Sequence, residues 1–528
     1  MIKNKKKIIF GFFFTYIFIG LYLSLDNGVS HDQFHEQLNW TINLKAIKGF
    51  FLNNGDYEIL LAYRDRYHGI AFHYISQPFQ LFLSEFTQNI NNVNESGAIY
   101  ISRHVPTFLI FCLSGYFFYL ISLKISNNSN FSIICVMIFC LYPYLFGHSQ
   151  INGKDIPFLS FWIIATYFNF VIIEKFYLEK KISFYVTLTL ALLTAFLISV
   201  RITGILILIQ YLISFIVLFN YKKFNIFKFL IINKSFFMIF SILSLTLIYI
   251  LNPVMWSNPA EFFNSFNWMS KYHNSSCTLT LGKCMEAQNL PSSYILIWLF
   301  FKLPILVILG ILLFPIVEKK LFKNNLDSVF YSILLISFLT IIFLLILRNV
   351  ALYDEIRHVM FLIPLILLIS FFNLFLFSRK FFYSLSTITV IFFLFENISL
   401  NKYQYTWMNS FAKFTSIENN FEIDYWGVSN KNLQKEIVKY VNNNNKLDKN
   451  ICIYGDTYND IFLKKYSFNC FKTYSEIDAA KVRPFLAYQN VRNLKRSNPK
   501  DCEHIYTEKY NYTFYNRDMI VGKLWYCG

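Results

Sequence analysis

Apolar residues gather in long runs separated by short polar turns. The runs fall at about 8–25, 104–123, 131–147, 157–174, 183–200, 202–219, 230–251, 294–316, 327–347, 358–377 and 382–397. A bilayer core takes roughly 20 helical residues to cross, so the pattern predicts about eleven transmembrane helices. The turns near Lys124, Glu174–Lys181, Lys222–Lys228, Glu318–Lys323 and Ser378–Lys380 carry a Lys or Arg excess, as does the segment Lys3–Lys7. Basic short loops stay cytoplasmic, which predicts a cytoplasmic N-terminus. The first run is followed by Leu25-Asp26-Asn27 rather than a small-residue cleavage site, so it reads as an uncleaved span. An odd span count then places the C-terminal segment on the non-cytoplasmic side. Two steps decide this order: the short loop at Arg201 and the Phe-rich run 381–397.

The polar segments differ in kind. Residues 26–103 form a long outer loop with amphipathic stretches at 43–61 and 70–87, predicted to lie on the membrane surface. A second outer loop, 252–293, carries Trp256 and Trp268, residues common at headgroup level. After residue 400, a helix at Lys431–Val441 and strands at Ile451–Tyr454, Phe485–Ala487 and Met519–Val521 are predicted. The chain therefore reads as a transmembrane domain over 1–400 and a small extracytoplasmic α/β domain over 401–528.

Composition agrees: 55% of residues are hydrophobic, 15% are charged and the mean hydropathy is +0.41. The net charge of +17 is spread in Lys clusters between apolar runs. That is a topology signal, and no nucleic-acid partner is expected. Cys112, Cys135 and Cys140 lie inside apolar runs, whereas Cys277, Cys284, Cys452, Cys470, Cys502 and Cys527 lie in the polar outer segments. An even number there fits disulfides in an oxidising compartment, with Cys277–Cys284 a local pair.

The chemistry-bearing groups gather at the outer ends of the runs. Just beyond the first run stand His31, Asp32, His35 and Glu36; at helical spacing the two acids share a face, and so do the two histidines. A carboxylate there is suited to take a proton from an acceptor hydroxyl. The competing readings are a solvated helix start capped by Ser30 or Asp32, and a divalent metal ion on the two histidines, with no third ligand visible. Further on come Arg103-His104, His148, Lys154-Asp155, Arg201, Asp354-Glu355 and Arg357-His358. Charge beside a membrane span is costly and calls for a partner or a purpose. Cations on the outer side are not required by topology, and a shared anionic ligand explains them, guanidinium being well matched to phosphate.

The segment His31-Asp32-Gln33-Phe34-His35 resembles the acidic first-loop motif of C-type (GT-C) membrane glycosyltransferases, especially protein O-mannosyltransferases and aminoarabinose transferases, where Gln33 departs from the usual second acid. The run Tyr142 to Pro157, including His148-Ser149-Gln150-Ile151-Asn152-Gly153-Lys154-Asp155, is similar to their loop carrying another acid. Leu290 to Pro304 and Tyr353-Asp354-Glu355-Ile356-Arg357-His358 resemble later patterns, so the likeness extends over most of 8–400. It implies a GT-C fold, a polyprenyl-phosphate sugar donor, an acceptor hydroxyl on a glycan, lipid or protein, and inversion at the anomeric carbon. It also implies Asp32 as base, Asp155 as second acid with Glu36 as the candidate substitute for the missing one, and Arg103, Lys154, Arg201 and Arg357 at the donor phosphate. His31, His35, His104 and His358 are further candidates. No cofactor is implied beyond the metal option. The alternatives are an envelope polysaccharide polymerase or ligase, and a transporter or flippase, which predicts broken helices and charge near mid-span.

Overall fold

All eleven apolar runs become helical, but not as eleven straight spans. The computed structural model describes residues 2–270, 277–323, 325–444, 451–455, 461–463, 470–479, 484–492, 498–515 and 517–528. Among them, seven helices are long and apolar enough to cross a membrane: Glu95–Ser126, Asp155–Tyr177, Ile202–Lys222, Lys234–Leu251, Leu326–Leu347, Arg357–Phe377 and Arg379–Ser399. Two bent pairs raise the number to nine: Ser129–Leu141 with Pro143–Ile151 at 57°, and Tyr294–Lys302 with Ile305–Leu312 at 116°. The remaining runs form the shorter apolar helices Gly11–Leu25 and Phe184–Val200. The chain is a multi-pass helical membrane protein with seven to nine candidate spans, fewer than the eleven expected.

Both bends have the same cause. Proline disfavours the helical conformation in the residue before it and lacks the N–H that would continue the ladder. Tyr142 before Pro143 has ψ 111°, and Leu303 before Pro304 has ψ 141°. The run 294–316 is therefore a sharply broken pair rather than one span. A further boundary moves upstream: the helix containing Arg103-His104 begins at Glu95, so these residues lie inside it.

The two ends of the bundle hold different polar pairs. Lys124 pairs with Glu174 at 2.5 Å and Asn127 with Asp327 at 2.9 Å at one end. At the other, Asn27 meets Gln150 at 2.9 Å and Asp32 meets Arg357 at 2.7 Å. Arg201 lies at this second end, beside Asp155. Helix Arg379–Ser399 runs from Tyr383, near Asn128, to Ser399, which bonds Asn511 in the tail.

The first polar segment folds as helices Asp32–Leu52, Asp56–Ala62 and Ala71–Asn91. The stretch 43–61 is interrupted by left-handed residues Asn53 (φ 51°) and Gly55 (φ 81°). The third helix buries Phe72, His73 and Gln80 and exposes Leu81, Phe82, Phe86 and Ile90, the face expected of an interfacial helix.

Strands β1 (Cys277–Thr280) and β2 (Lys283–Glu286) form a hairpin joined by the Cys277–Cys284 disulfide. The tail contains β3 (Cys452–Gly455), β4 (Phe471–Thr473), β5 (Phe485–Asn490), β6 (Glu503–Asn511) and β7 (Asp518–Cys527) in a mixed sheet of order β4-β3-β5-β7-β6. Helix Asn430–Asn443 packs Leu433, Ile437 and Val441 against Leu486, Tyr488 and Leu524 of that sheet. Disulfides Cys452–Cys470 and Cys502–Cys527 staple it, while Cys112, Cys135 and Cys140 stay free and buried. The tail is tied to the helices by Lys431, whose Nζ donates to the Asp26 carbonyl (2.8 Å) and to Asn91 Oδ1 (2.9 Å).

Candidate active site

At the end of the bundle that meets the tail lies a cavity of about 590 Å³. Helix Asp32–Leu52 forms one wall, and its start is fixed from outside: the His31 N–H donates to the Trp426 carbonyl at 3.0 Å. Gly427, at φ +69°, lets the His31 ring lie against its backbone, since a Cβ there would sit 2.1 Å from His31 Nε2. No side chain caps this helix, so Asp32 is not consumed as a cap. It is 44% exposed, into the cavity.

Three acids expected at the site each meet one of the expected cations. Asp32 Oδ2 accepts from Arg357 Nη1 at 2.7 Å; Glu36 Oε1 meets Lys154 Nζ at 3.1 Å; Asp155 Oδ1 contacts Arg201 Nη2. Burial alone would push the Asp32 carboxyl up, but the Arg357 guanidinium outweighs it and holds the group below its usual range. Burial likewise opposes ionisation of Glu36, and Lys154 and His73 hold it well below the carboxylate range. His73, 3.3 Å from Glu36, is itself lowered to about 4 by burial and by Arg103, so it meets Glu36 as a neutral imidazole.

Arg357 is the hub. Its Nη2 meets Asp354 Oδ2 at 3.0 Å, and its guanidinium lies 4.9 Å from the Tyr353 ring centroid and 4.8 Å from that of Trp426. Asp354 passes the chain on to Arg492 (2.7 Å), which also meets Glu422 (2.5 Å). Asp354 and Glu355 both adopt positive φ, 52° and 68°, a costly pair of conformations for side-chain-bearing residues. The turn is held by the Asp354 N–H on Thr278 Oγ1 (2.9 Å) and by Tyr294 Oη on the Glu355 carbonyl (3.2 Å). Among the described residues the Nε–H groups of Arg357 and Arg201 have no hydrogen-bond partner.

Of the residues singled out in the sequence, His31, Asp32, His35, Glu36, Lys154, Arg201, Asp354, Arg357 and His358 line the cavity. His358 stands edge-on to Tyr353, with centroids 4.5 Å apart. Asp155 lies just behind Arg201. Arg103 and His104 do not line the cavity: Arg103 is buried against Gln33 (3.1 Å) and Gln37, and His104 Nδ1 meets the Ser24 carbonyl at 3.0 Å. Arg64, His68, Tyr425, Asn490 and Arg492 also line it and carried no functional signal in the sequence. Among the described residues, no group of three or more His, Cys, Asp or Glu is placed to hold a metal ion.

No family model matches the chain, and no curated protein matches it. Among solved structures it is similar to the crystal structure of ArnT from Cupriavidus metallidurans in the apo state. The likeness has a TM-score of 0.42 and 9% identity, over 85% of this chain and 87% of that one.

Proposed function

We propose that the protein is an integral membrane glycosyltransferase of the GT-C type. In this reading it moves a sugar from a polyprenyl-phosphate donor to an acceptor hydroxyl at the non-cytoplasmic face, with inversion. The observation that carries it is the convergence of Asp32, Lys154, Arg201 and Arg357 on one cavity, where two guanidinium groups keep an unused N–H. Phosphate is a good leaving group, and cations placed where its charge develops lower the barrier without a strong general acid. Leu206, Leu345, Val350 and Phe361 line the same cavity and offer an apolar path for the lipid chain. Asp32 is the base, exposed to the cavity and ionised. Glu36 and Asp155 orient Lys154 and Arg201, and Arg103 steadies the base helix through Gln33 and Gln37.

The test is sugar transfer from polyprenyl-phosphate donors in purified membranes by the wild type and by Asp32→Asn. We expect the variant to lose about 10²- to 10⁴-fold in rate while still binding the lipid phosphate. Full activity in Asp32→Asn removes the base assignment.

One observation favours a second reading. A transporter calls for broken helices with buried charge, and Lys302, at the 116° break, pairs with Glu355 at 2.8 Å with both side chains fully buried. Solute flux through reconstituted vesicles, with no transfer from any lipid-linked donor, decides for that reading.

A further inference from the structure

The segment Tyr142–Pro157 contains a buried polar chain that the proposed chemistry does not use. It starts at Asn152, whose Oδ1 accepts from the backbone N–H groups of Asp155 (2.9 Å) and Lys154 (3.2 Å). Two N–H donors on that oxygen fix which end of the amide is which. The Asn152 Nδ2 is therefore the end facing Asp155 Oδ2 (2.9 Å) and His148 Nδ1 (3.1 Å), and it donates to both. His148 Nδ1 must then be an acceptor, bare of a proton. In the neutral imidazole the proton sits on Nε2, which is 3.1 Å from the Tyr425 hydroxyl. Nε2 donates and the phenol oxygen accepts.

This ordering leaves the phenol proton without a use among the described residues. The nearby Trp426 indole offers only a donor, Nε1, and no acceptor. Among the described residues the Tyr425 hydroxyl has no acceptor. Tyr425 is only 4% exposed, yet it lines the cavity that holds Asp32 and Arg357. A buried hydroxyl with an unspent donor is costly unless something fills it.

We propose that Tyr425 is a substrate-contacting hydrogen-bond donor, supplied from the start of the tail and aimed by the relay Asp155–Asn152–His148. Its ligand is an oxygen acceptor on the head of a lipid-linked sugar phosphate, either a phosphoryl oxygen or a sugar oxygen. His148 and Asn152 are positioning residues. The assignment rests on the glycosyltransferase reading above. It adds that the tail is a wall of the donor site rather than an appendage, since Asn490 and Arg492 line the same side.

The experiment uses the full chain in nanodiscs, with undecaprenyl phosphate and undecaprenyl phosphomannose as probes. Tyr425→Phe, which keeps the ring and removes the donor, is expected to weaken binding about tenfold to a hundredfold. Loss with both lipids assigns the contact to the phosphoryl group; loss with the phosphomannose alone assigns it to the sugar. His148→Gln can still donate to Tyr425 and should keep most affinity, whereas His148→Phe should match Tyr425→Phe. A ¹⁵N-histidine spectrum should show His148 protonated at Nε2 and bare at Nδ1 near neutral pH. If the wild type binds and Tyr425→Phe binds equally well, the Tyr425 contact falls and the glycosyltransferase reading stands. If the wild type binds neither lipid, that reading falls and takes the contact with it.

Discussion

Arg357 holds the Asp32 carboxylate at 2.7 Å by Nη1 while, among the described residues, its own Nε–H has no acceptor. The hub of the site is thus bonded to Asp32, the proposed base, and still has capacity for an incoming oxygen. On the proposed function, a donor phosphate that draws Arg357 toward itself would weaken its hold on Asp32, making the carboxylate a stronger base once the substrate is in place.

The pH profile should report this. Arg357 keeps Asp32 below its ordinary value of 3.8 despite burial, so in the ligand-free protein the group is ionised throughout the neutral range. The acid limb of kcat/KM, which reports the free enzyme, is expected below pH 3.8. The acid limb of kcat, which reports the complex, is expected at higher pH. By the same sign, the stability Asp32 contributes is present above its ordinary value and is lost as pH falls. Coincident limbs would show that the phosphate leaves the Asp32–Arg357 pair untouched.

Arg357 bridges Asp32 and Asp354 with two different nitrogens. Lysine has a single head and cannot span both, so Arg357→Lys is not conservative here. It should cost about 10²-fold in kcat/KM, roughly 2.7 kcal/mol of transition-state stabilisation. It should also weaken undecaprenyl phosphate binding in a titration. Near-wild-type values would move the phosphate subsite toward Lys154 and Arg201.

How much of this was legible in the sequence follows from what each signal measures. Asp32, Glu36, Lys154, Arg201 and Arg357 stood out because charge at the edge of an apolar run is expensive. Their pairing did not, because Glu36 and Lys154 are 118 positions apart and Asp32 and Arg357 are 325 apart. Arg103 was drawn into the phosphate set because hydropathy ends a span at a charge, whereas the helix continues from Glu95 and two glutamines take up the guanidinium. The run 294–316 looked like one span because hydropathy is blind to direction; Pro304 held the missing information. The tail's part in the cavity had no local signature, since Tyr425, Asn490 and Arg492 meet only through the docking of β5 on Phe421–Gly427, where Asn490 donates to the Asp424 carbonyl at 3.0 Å.

Glu355 gives a stability prediction independent of activity. Burial pushes its carboxyl up to about 8, against the opposing effect of Lys302. A group raised in the folded state contributes stability that is complete below its unfolded value and is lost as pH rises through the folded one. The thermal midpoint in detergent should therefore fall between about pH 4.5 and 8, and Glu355→Gln should flatten that slope. An unchanged slope in the variant would assign the pH dependence to other groups.

Gly427 and Gly55 form a matched pair. Both have positive φ, 69° and 81°, but an added Cβ meets His31 Nε2 at 2.1 Å in the first and nothing within 4 Å in the second. Gly55→Ala should cost about 1–2 kcal/mol from backbone strain alone. Gly427→Ala should cost more and displace His31 from the start of the base helix, so it should lower activity as well. Equal shifts in denaturation midpoint would mean that His31 moves aside freely.

The cavity wall carries Arg64, Lys154, Arg201, Arg357 and Arg492 opposite Asp32, Glu36, Asp65 and Asp354, with Asp155 and Glu422 close behind. Seen from beyond a Debye length, about 8 Å in physiological salt, such a basin is nearly neutral. It exerts little pull on soluble phosphates or nucleotides drifting past, and its cations become available only to an anion delivered at contact range. On the proposed function, a ligand already confined to the plane of the membrane arrives that way, and selection between tethered and free phosphates is then made by the route of entry before any contact is formed.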